Sequence, residues 1–242
     1  MIRTFILALV LCSLWGSAGA AEKTRILFIG NSYTRQIRAT VTALIEASSV
    51  GGTTELAFIT RPGKTLEFHL GDAATVAKIE EGNWDYVVLQ DQSQMPAIAP
   101  KRFEIAAIEL DKLIDATGAK TVFYQTWGRR DGDKQNAKRF PTYDSMQTAL
   151  SESYATTARS CDAILAPVGD TWARVRADDS ELGRGLYKND ASHPSAKGAY
   201  LTACVFYAAL FQKDADQIDF ISGLSAAEEK VIHQAIAKVV VK

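Results

Sequence analysis

Histidine and cysteine are scarce in this 242-residue chain, with three of each. The histidines, His69, His193 and His233, never stand at H-x-x-x-H or H-E-x-x-H spacing, and there is no C-x-x-C. Zinc and dithiol redox chemistry therefore lack a ligand set. A G-x-G-x-x-G fingerprint is missing, which removes the usual dinucleotide site, and so is the G-x-S-x-G elbow of α/β-hydrolases. The segment "PGKTL" (62–66) looks like the end of a phosphate loop, but the position that should open it with glycine is Phe58. The loop is too short to wrap a phosphate. Charge of one sign is missing as well: 27 basic residues stand against 28 acidic ones. That balance points away from nucleic acid and from anionic membrane surfaces. No proline-rich or glycine-rich linker, internal repeat or low-complexity segment divides the chain, and after residue 20 no apolar run is long enough to cross a bilayer.

The first twenty residues stand apart. "MIRTFILALVLCSLWGSAGA" has Arg3, an apolar run from Phe5 to Trp15 and small residues ending Ala18-Gly19-Ala20. This is the pattern of a secretory signal peptide. Leu11 before Cys12 is too bulky for a lipoprotein cleavage site. The expected mature protein is 21–242, one domain, secreted or periplasmic and not inserted in a membrane. It has ample apolar content for a core. Of the cysteines, Cys161 and Cys204 remain in it. Export permits a disulfide between them, and their apolar surroundings are equally consistent with two buried thiols.

Short apolar runs alternate with longer helical patterns. RILFIG (25–30), TELAFIT (54–60), DYVVLQ (85–90), KTVFYQT (120–126) and DAILAPV (162–168) are rich in β-branched and aromatic residues. Helical periodicity is expected over 35–49, 65–81, 101–117, 143–159, 195–211 and 226–240. Several strands are apolar without alternation, as expected when both faces are covered. The alternation predicts an α/β fold, a parallel sheet with helices on both faces. Chemistry on such sheets gathers in the loops after the strands' carboxyl ends.

His233 falls on the last helical pattern and is expected at its surface; His69 is expected to be structural. His193 lies in "KNDASHPSAKGAYL" (188–201), three residues after Asp190. One reading is a helix start with Asp and Ser as capping groups. The other is an orienting carboxylate and a base, with Asp190 on the inner ring nitrogen and the outer nitrogen accepting a proton. Such a base needs a nucleophile. The serine at a strand's carboxyl end is Ser32, in "RILFIGNSYT" (25–34).

Gly30-Asn31-Ser32 after the first strand and Asp190-Ala191-Ser192-His193 near the C-terminus resemble the SGNH, or GDSL-type, hydrolases in type, order and position. The resemblance runs from Ile26 to Tyr200. It implies a three-layer αβα sandwich around a five-stranded parallel sheet, flavodoxin-like, and a serine esterase with Ser32 as nucleophile, His193 as base and Asp190 as orienter. It places Gly63, in "RPGKTL", where the family binds the oxyanion through a backbone N–H, beside the N–H of Ser32. The family's third block, Gly-x-Asn-Asp, is replaced here by "VVLQDQSQMP" (87–96). A glutamine amide offers the same donors, with Gln92 favoured and Gln94 the alternative. Asn31, Trp127 and Arg129 are candidate substrate contacts. The implied substrate is a small-molecule or carbohydrate ester with a short acyl group, and no metal or organic cofactor is called for. The alternative is a non-catalytic carbohydrate-binding module on the same fold.

Overall fold

The computed structural model describes residues 23–240. The leader read in residues 1–20 lies outside them. Five strands, β1 (Thr24–Gly30), β2 (Thr54–Thr60), β3 (Tyr86–Leu89), β4 (Lys120–Tyr124) and β5 (Ile164–Ala166), form one sheet in the order β2-β1-β3-β4-β5. Every adjacent pair is parallel. This is the flavodoxin-like order, in which the chain reverses direction across the sheet between β1 and β3.

The alternation of side chains along β1 separates two cores. Ile26 and Phe28 face one cluster, Leu27 and Ile29 the other, and all four are fully buried. The first cluster is completed by α1 (Ser32–Ala47), α7 (Val168–Asp178), α9 (Ala196–Phe211) and α10 (Ala226–Val239). The second is completed chiefly by α3 (Ala73–Glu80), α5 (Pro100–Asp115) and α6 (Tyr143–Ser160). Helix α9 is apolar nearly all round because it is covered on nearly every side.

The pattern over 65–81 is two helices, α2 (Leu66–Gly71) and α3, rather than one. Asp72 breaks it: its carboxylate accepts from Thr75 N and so begins a new helix. A short α4 (Met95–Ile98) precedes α5. Two helices absent from the sequence reading, α7 and α8 (Ser180–Gly185), carry the chain from β5 to the His193 turn. Cys161 and Cys204 are both free, and burial pushes each thiol up to about 12. His233 is half-buried rather than a surface residue; its Nε2 lies 2.9 Å from the Tyr200 hydroxyl. Among the described residues no helix is long and apolar enough to cross a membrane.

Candidate active site

The site forms at the carboxyl ends of β1 to β4, around the reversal point. Strand β1 ends at Gly30 and α1 begins at Ser32. Gly30 is required by space: a Cβ there would lie 2.3 Å from Thr34 Oγ1 and 2.6 Å from Gln90 Oε1. Those two atoms come close because Gln90 Oε1 accepts from the Thr34 hydroxyl (2.9 Å) and from Asn31 N (3.0 Å). The turn into the helix is thereby tied to the end of β3.

Asn31 caps α1, its Oδ1 accepting from Tyr33 N at 3.1 Å. Its Nδ2 donates to Lys64 O (3.1 Å) and Asp91 O (3.3 Å). Asn31 is 2% exposed and both ends of its amide are engaged. Asn31 thus ties three loops together, and it also stands in the wall of the pocket beside Ser32. Ser32 begins the helix, where backbone N–H groups have no partner within it and the helix dipole is positive.

Ser32 Oγ lies 2.9 Å from His193 Nε2, and His193 Nδ1 lies 2.6 Å from Asp190 Oδ2. The other Asp190 oxygen accepts from Ser192 N and His193 N, each at 2.9 Å. Burial acts to raise the Asp190 carboxyl, but the bonds from His193 and Ser192 outweigh it and hold the group below the usual carboxylate range. The turn needs Ala191 in the left-handed region, at φ +59°. Such a backbone is costly for alanine, and here Arg130 N secures it by donating to Ala191 O at 2.9 Å.

Trp127 is corrected as a substrate contact. It is fully buried, between Tyr33 (ring centroids 4.8 Å apart) and Trp172 (3.9 Å), both stacked on it. Its indole Nε1 donates to Ser192 O at 3.0 Å, and the Tyr33 hydroxyl lies 2.6 Å from Ser192 Oγ. The aromatic stack braces the His193 turn from beneath.

Gly63 lies in the turn Arg61–Lys64, closed by Lys64 N donating to Arg61 O at 3.1 Å. Pro62 and Gly63, at φ +71°, are the residue types that a type II turn demands. Here glycine is required by its dihedral, since a Cβ would meet nothing within 4 Å. The neighbouring β3 loop is held by Asp91, whose Oδ1 accepts from Leu66 N (2.9 Å) and Gln92 N (2.6 Å). Burial raises the Asp91 carboxyl to about 6. Gln92 Oε1 accepts from Gln94 N (2.8 Å) and Met95 N (3.2 Å), which orients the amide. Its Nε2 makes one marginal contact, 3.4 Å to Gln94 Oε1. Gln94 is buried and its Nε2 is committed to Asp133 (2.8 and 2.9 Å) and Gln135 (2.8 Å).

A pocket of about 350 Å³ has Ser32, His193, Gly63, Gln92 and Arg129 in its wall. Gln94 does not line it. Neither the Ser32 nor the Gly63 N–H has an acceptor among the described residues. A hydroxyl, an imidazole and a carboxylate in series thus line a small cavity together with Gly63 and Gln92; the N–H groups of Ser32 and Gly63 are unspent and Gln92 Nε2 makes only a marginal contact. His69, by contrast, is wholly buried beneath this floor, with Nε2 3.0 Å from Gly30 O, as a structural histidine should be. Gln90, Asp91 and Ser192 escaped the sequence reading. The one available signal was a run of polar residues directly after a fully apolar strand.

A protein from Slackia heliotrinireducens assigned to the SGNH hydrolases is 30% identical, with a TM-score of 0.66, over 78% of this chain and all of the other. The chain belongs to the SGNH hydrolase superfamily. A DUF4886 family protein from Bacteroides uniformis superposes on this hydrolase with TM-score 0.76, at 17% identity, over 90% of this chain and 95% of the other. The acetyl xylan esterase AlAXEase does so with TM-score 0.60, at 14% identity, over 77% and 99%. Both share the SGNH fold with it. No family model and no curated protein sequence matches the chain.

Proposed function

We propose that this SGNH hydrolase is a serine esterase acting through an acyl-enzyme on Ser32. His193 Nε2 takes the hydroxyl proton as Ser32 Oγ attacks the ester carbonyl. Asp190 holds the imidazole in the tautomer that leaves Nε2 free to accept and stabilises the imidazolium that forms. The developing oxyanion is bound by the N–H groups of Ser32 and Gly63 and by Gln92 Nε2. The imidazolium then protonates the leaving alcohol, the C–O bond breaks, and water activated by the same imidazole releases the acid and regenerates Ser32.

One observation carries this reading: the Ser32–His193–Asp190 series at 2.9 and 2.6 Å, opening onto a pocket with unspent donors. The ester is read as one of a short acyl group such as acetyl, on a carbohydrate or another small molecule. Gln92 is preferred to Gln94 because the latter's amide is spent on Asp133. A non-catalytic carbohydrate-binding module would leave the aligned series without use. Residues 1–20 are proposed as a cleaved export signal, with 21–242 as one catalytic domain.

The test is hydrolysis of p-nitrophenyl acetate and butyrate by the mature protein and by Ser32→Ala, with intact-mass analysis after a fluorophosphonate probe. Turnover and a single adduct in the parent, both lost in the folded variant, support the proposal. No adduct in a folded parent would count against an activated Ser32.

A further inference from the structure

Beside the nucleophile's pocket lies a second cavity, of about 390 Å³, walled by residues 129–135 on one side and 189–191 on the other. Arg129 and Asp190 belong to the walls of both cavities. The acidic groups around the second cavity are already engaged. Asp190 accepts from His193 and Ser192. Asp131 pairs with Arg130 and Arg184, each at 3.0 Å. Asp133 accepts from Gln94 Nε2, from Gln135 N (3.1 Å) and from Asn136 Nδ2 (2.7 Å).

Arg129 is the group whose hydrogen bonds are incomplete. Its Nε is buried and has no hydrogen-bond acceptor among the described residues. Asp133 Oδ1 stands 3.7 Å away, near enough to attract the guanidinium but not to take a hydrogen bond from it. The one side-chain bond Arg129 makes is to Ser93 Oγ at 3.5 Å, the limit of what counts as one. A guanidinium has five N–H donors in a planar fork, and leaving them unmet in a partly buried wall is costly. That fork matches a carboxylate, which can take two of the donors side by side. Lys134, exposed on the rim, adds a second positive charge.

We infer that Arg129 determines specificity and binds a carboxylate on the alcohol portion of the ester, seated in the second cavity. The inference rests on the reading of Ser32 as nucleophile. The leaving oxygen takes its proton from His193 Nε2, so the alcohol lies on the His193 side. The second cavity is bounded there by Asp190 and Ala191, the turn that carries His193. The substrate class is an acyl ester of a hydroxy acid, such as an acidic sugar, rather than of a neutral alcohol.

The experiment compares 3-acetoxybenzoate with its isosteric neutral partner, 3-acetoxybenzamide. The wild-type ratio of kcat/KM, acid over amide, is expected to be about 10 to 100, the range of a charge-assisted hydrogen bond. Arg129→Gln should bring it near 1, chiefly through KM, and Arg129→Lys should restore part of it. Calorimetric binding of both esters to Ser32→Ala, which keeps Arg129, gives a readout independent of turnover and of the folding of Arg129 variants. At least tenfold tighter binding of the acid is expected. A wild-type ratio below 2 in a protein whose Ser32 takes the fluorophosphonate overturns this inference and leaves the esterase reading intact. A folded protein with no adduct and no turnover overturns the esterase reading; equal binding of the two esters to Ser32→Ala then overturns the carboxylate site as well.

Discussion

Gln92→Glu separates the two jobs assigned to one side chain. In the structure, Gln92 Oε1 accepts from Gln94 N and Met95 N, and these bonds hold the loop that starts α4. A carboxylate keeps that acceptor, so the loop should survive within about 1 kcal/mol. What it loses is Nε2, whose only internal contact is a 3.4 Å approach to Gln94. Removal of one oxyanion donor costs about 3 to 4 kcal/mol in the barrier, a factor of about 10² to 10³ in kcat. The carboxylate adds repulsion toward the oxyanion, about 4 kcal/mol for unit charges ~4 Å apart at an effective dielectric near 20. Gln92→Glu should therefore lose about 10³-fold or more in kcat for p-nitrophenyl acetate. Gln92→Met, which removes the donor without adding charge, should lose about 10². Thermal melts check that the loop is intact. If Gln92→Glu keeps kcat within fivefold of the parent while Ser32 still takes the fluorophosphonate, the oxyanion donor is elsewhere and the reasoning fails.

Asp190→Asn should keep the turn but favour the wrong imidazole tautomer, with kcat reduced by about 10³ to 10⁴ and KM little changed; steady-state kinetics decide it. Asp91 links pH to stability. Its folded pKa, about 6, is raised by burial above the unfolded carboxylate value, so its contribution is fully present below the unfolded value and is lost as pH rises through about 6. Between pH 4 and pH 7 the wild type should lose about 2 kcal/mol relative to Asp91→Asn in urea unfolding, and parallel pH profiles would refute this. Trp127→Phe removes the donor to Ser192 O and loosens the ring stack, so about 2 to 4 kcal/mol of stability should be lost. A rise in KM at unchanged stability would instead return Trp127 to the cleft.

The strands were legible because their apolar runs are continuous and end abruptly at polar loops. The span TELAFIT, 54–60, is β2 residue for residue. The two helices before the His193 turn were missed although Val168, Thr171, Trp172 and Val175 mark a buried stripe on α7. The expected strand DAILAPV, 162–168, runs past the end of β5 at Ala166 and over the start of α7 at Val168, and Asp179 ends the helix after only three turns. The break at Asp72 was hidden because helical periodicity continues on both sides of a single capping carboxylate. Ser32, Asp190 and His193 could be found because the spacing of each motif is local. Trp127 was misread because residue type says nothing about which way a ring points: following a strand, an indole can face solvent or, as here, stack against Tyr33 and Trp172. Gln90 and Asp91 have roles that depend on partners some 25 to 60 residues away in the chain, and no local pattern carries such a pairing.

Those long-range pairings explain how three loops of ordinary composition hold one site. Gln90 fastens the nucleophile's turn to β3, Asn31 fastens it to the Gly63 turn and to Asp91, and Asp91 fastens the Gly63 segment to Gln92. Each of these polar side chains is buried and bonded to a neighbouring loop; for Asp91 the two bonds to Oδ1 do not cancel the desolvation that raises its carboxyl. Around the pocket the N–H groups of Ser32 and Gly63 have no internal acceptor among the described residues, the Gln92 amide makes one marginal contact and the Arg129 fork is incompletely bonded. Donors that line an open cavity can be met by a bound partner, whereas unpartnered groups sealed in the core, such as the Trp172 indole, cannot. The three beside Ser32 suit an oxygen that becomes negative in the reaction. The fork of Arg129, farther along the wall, suits one that is negative from the start.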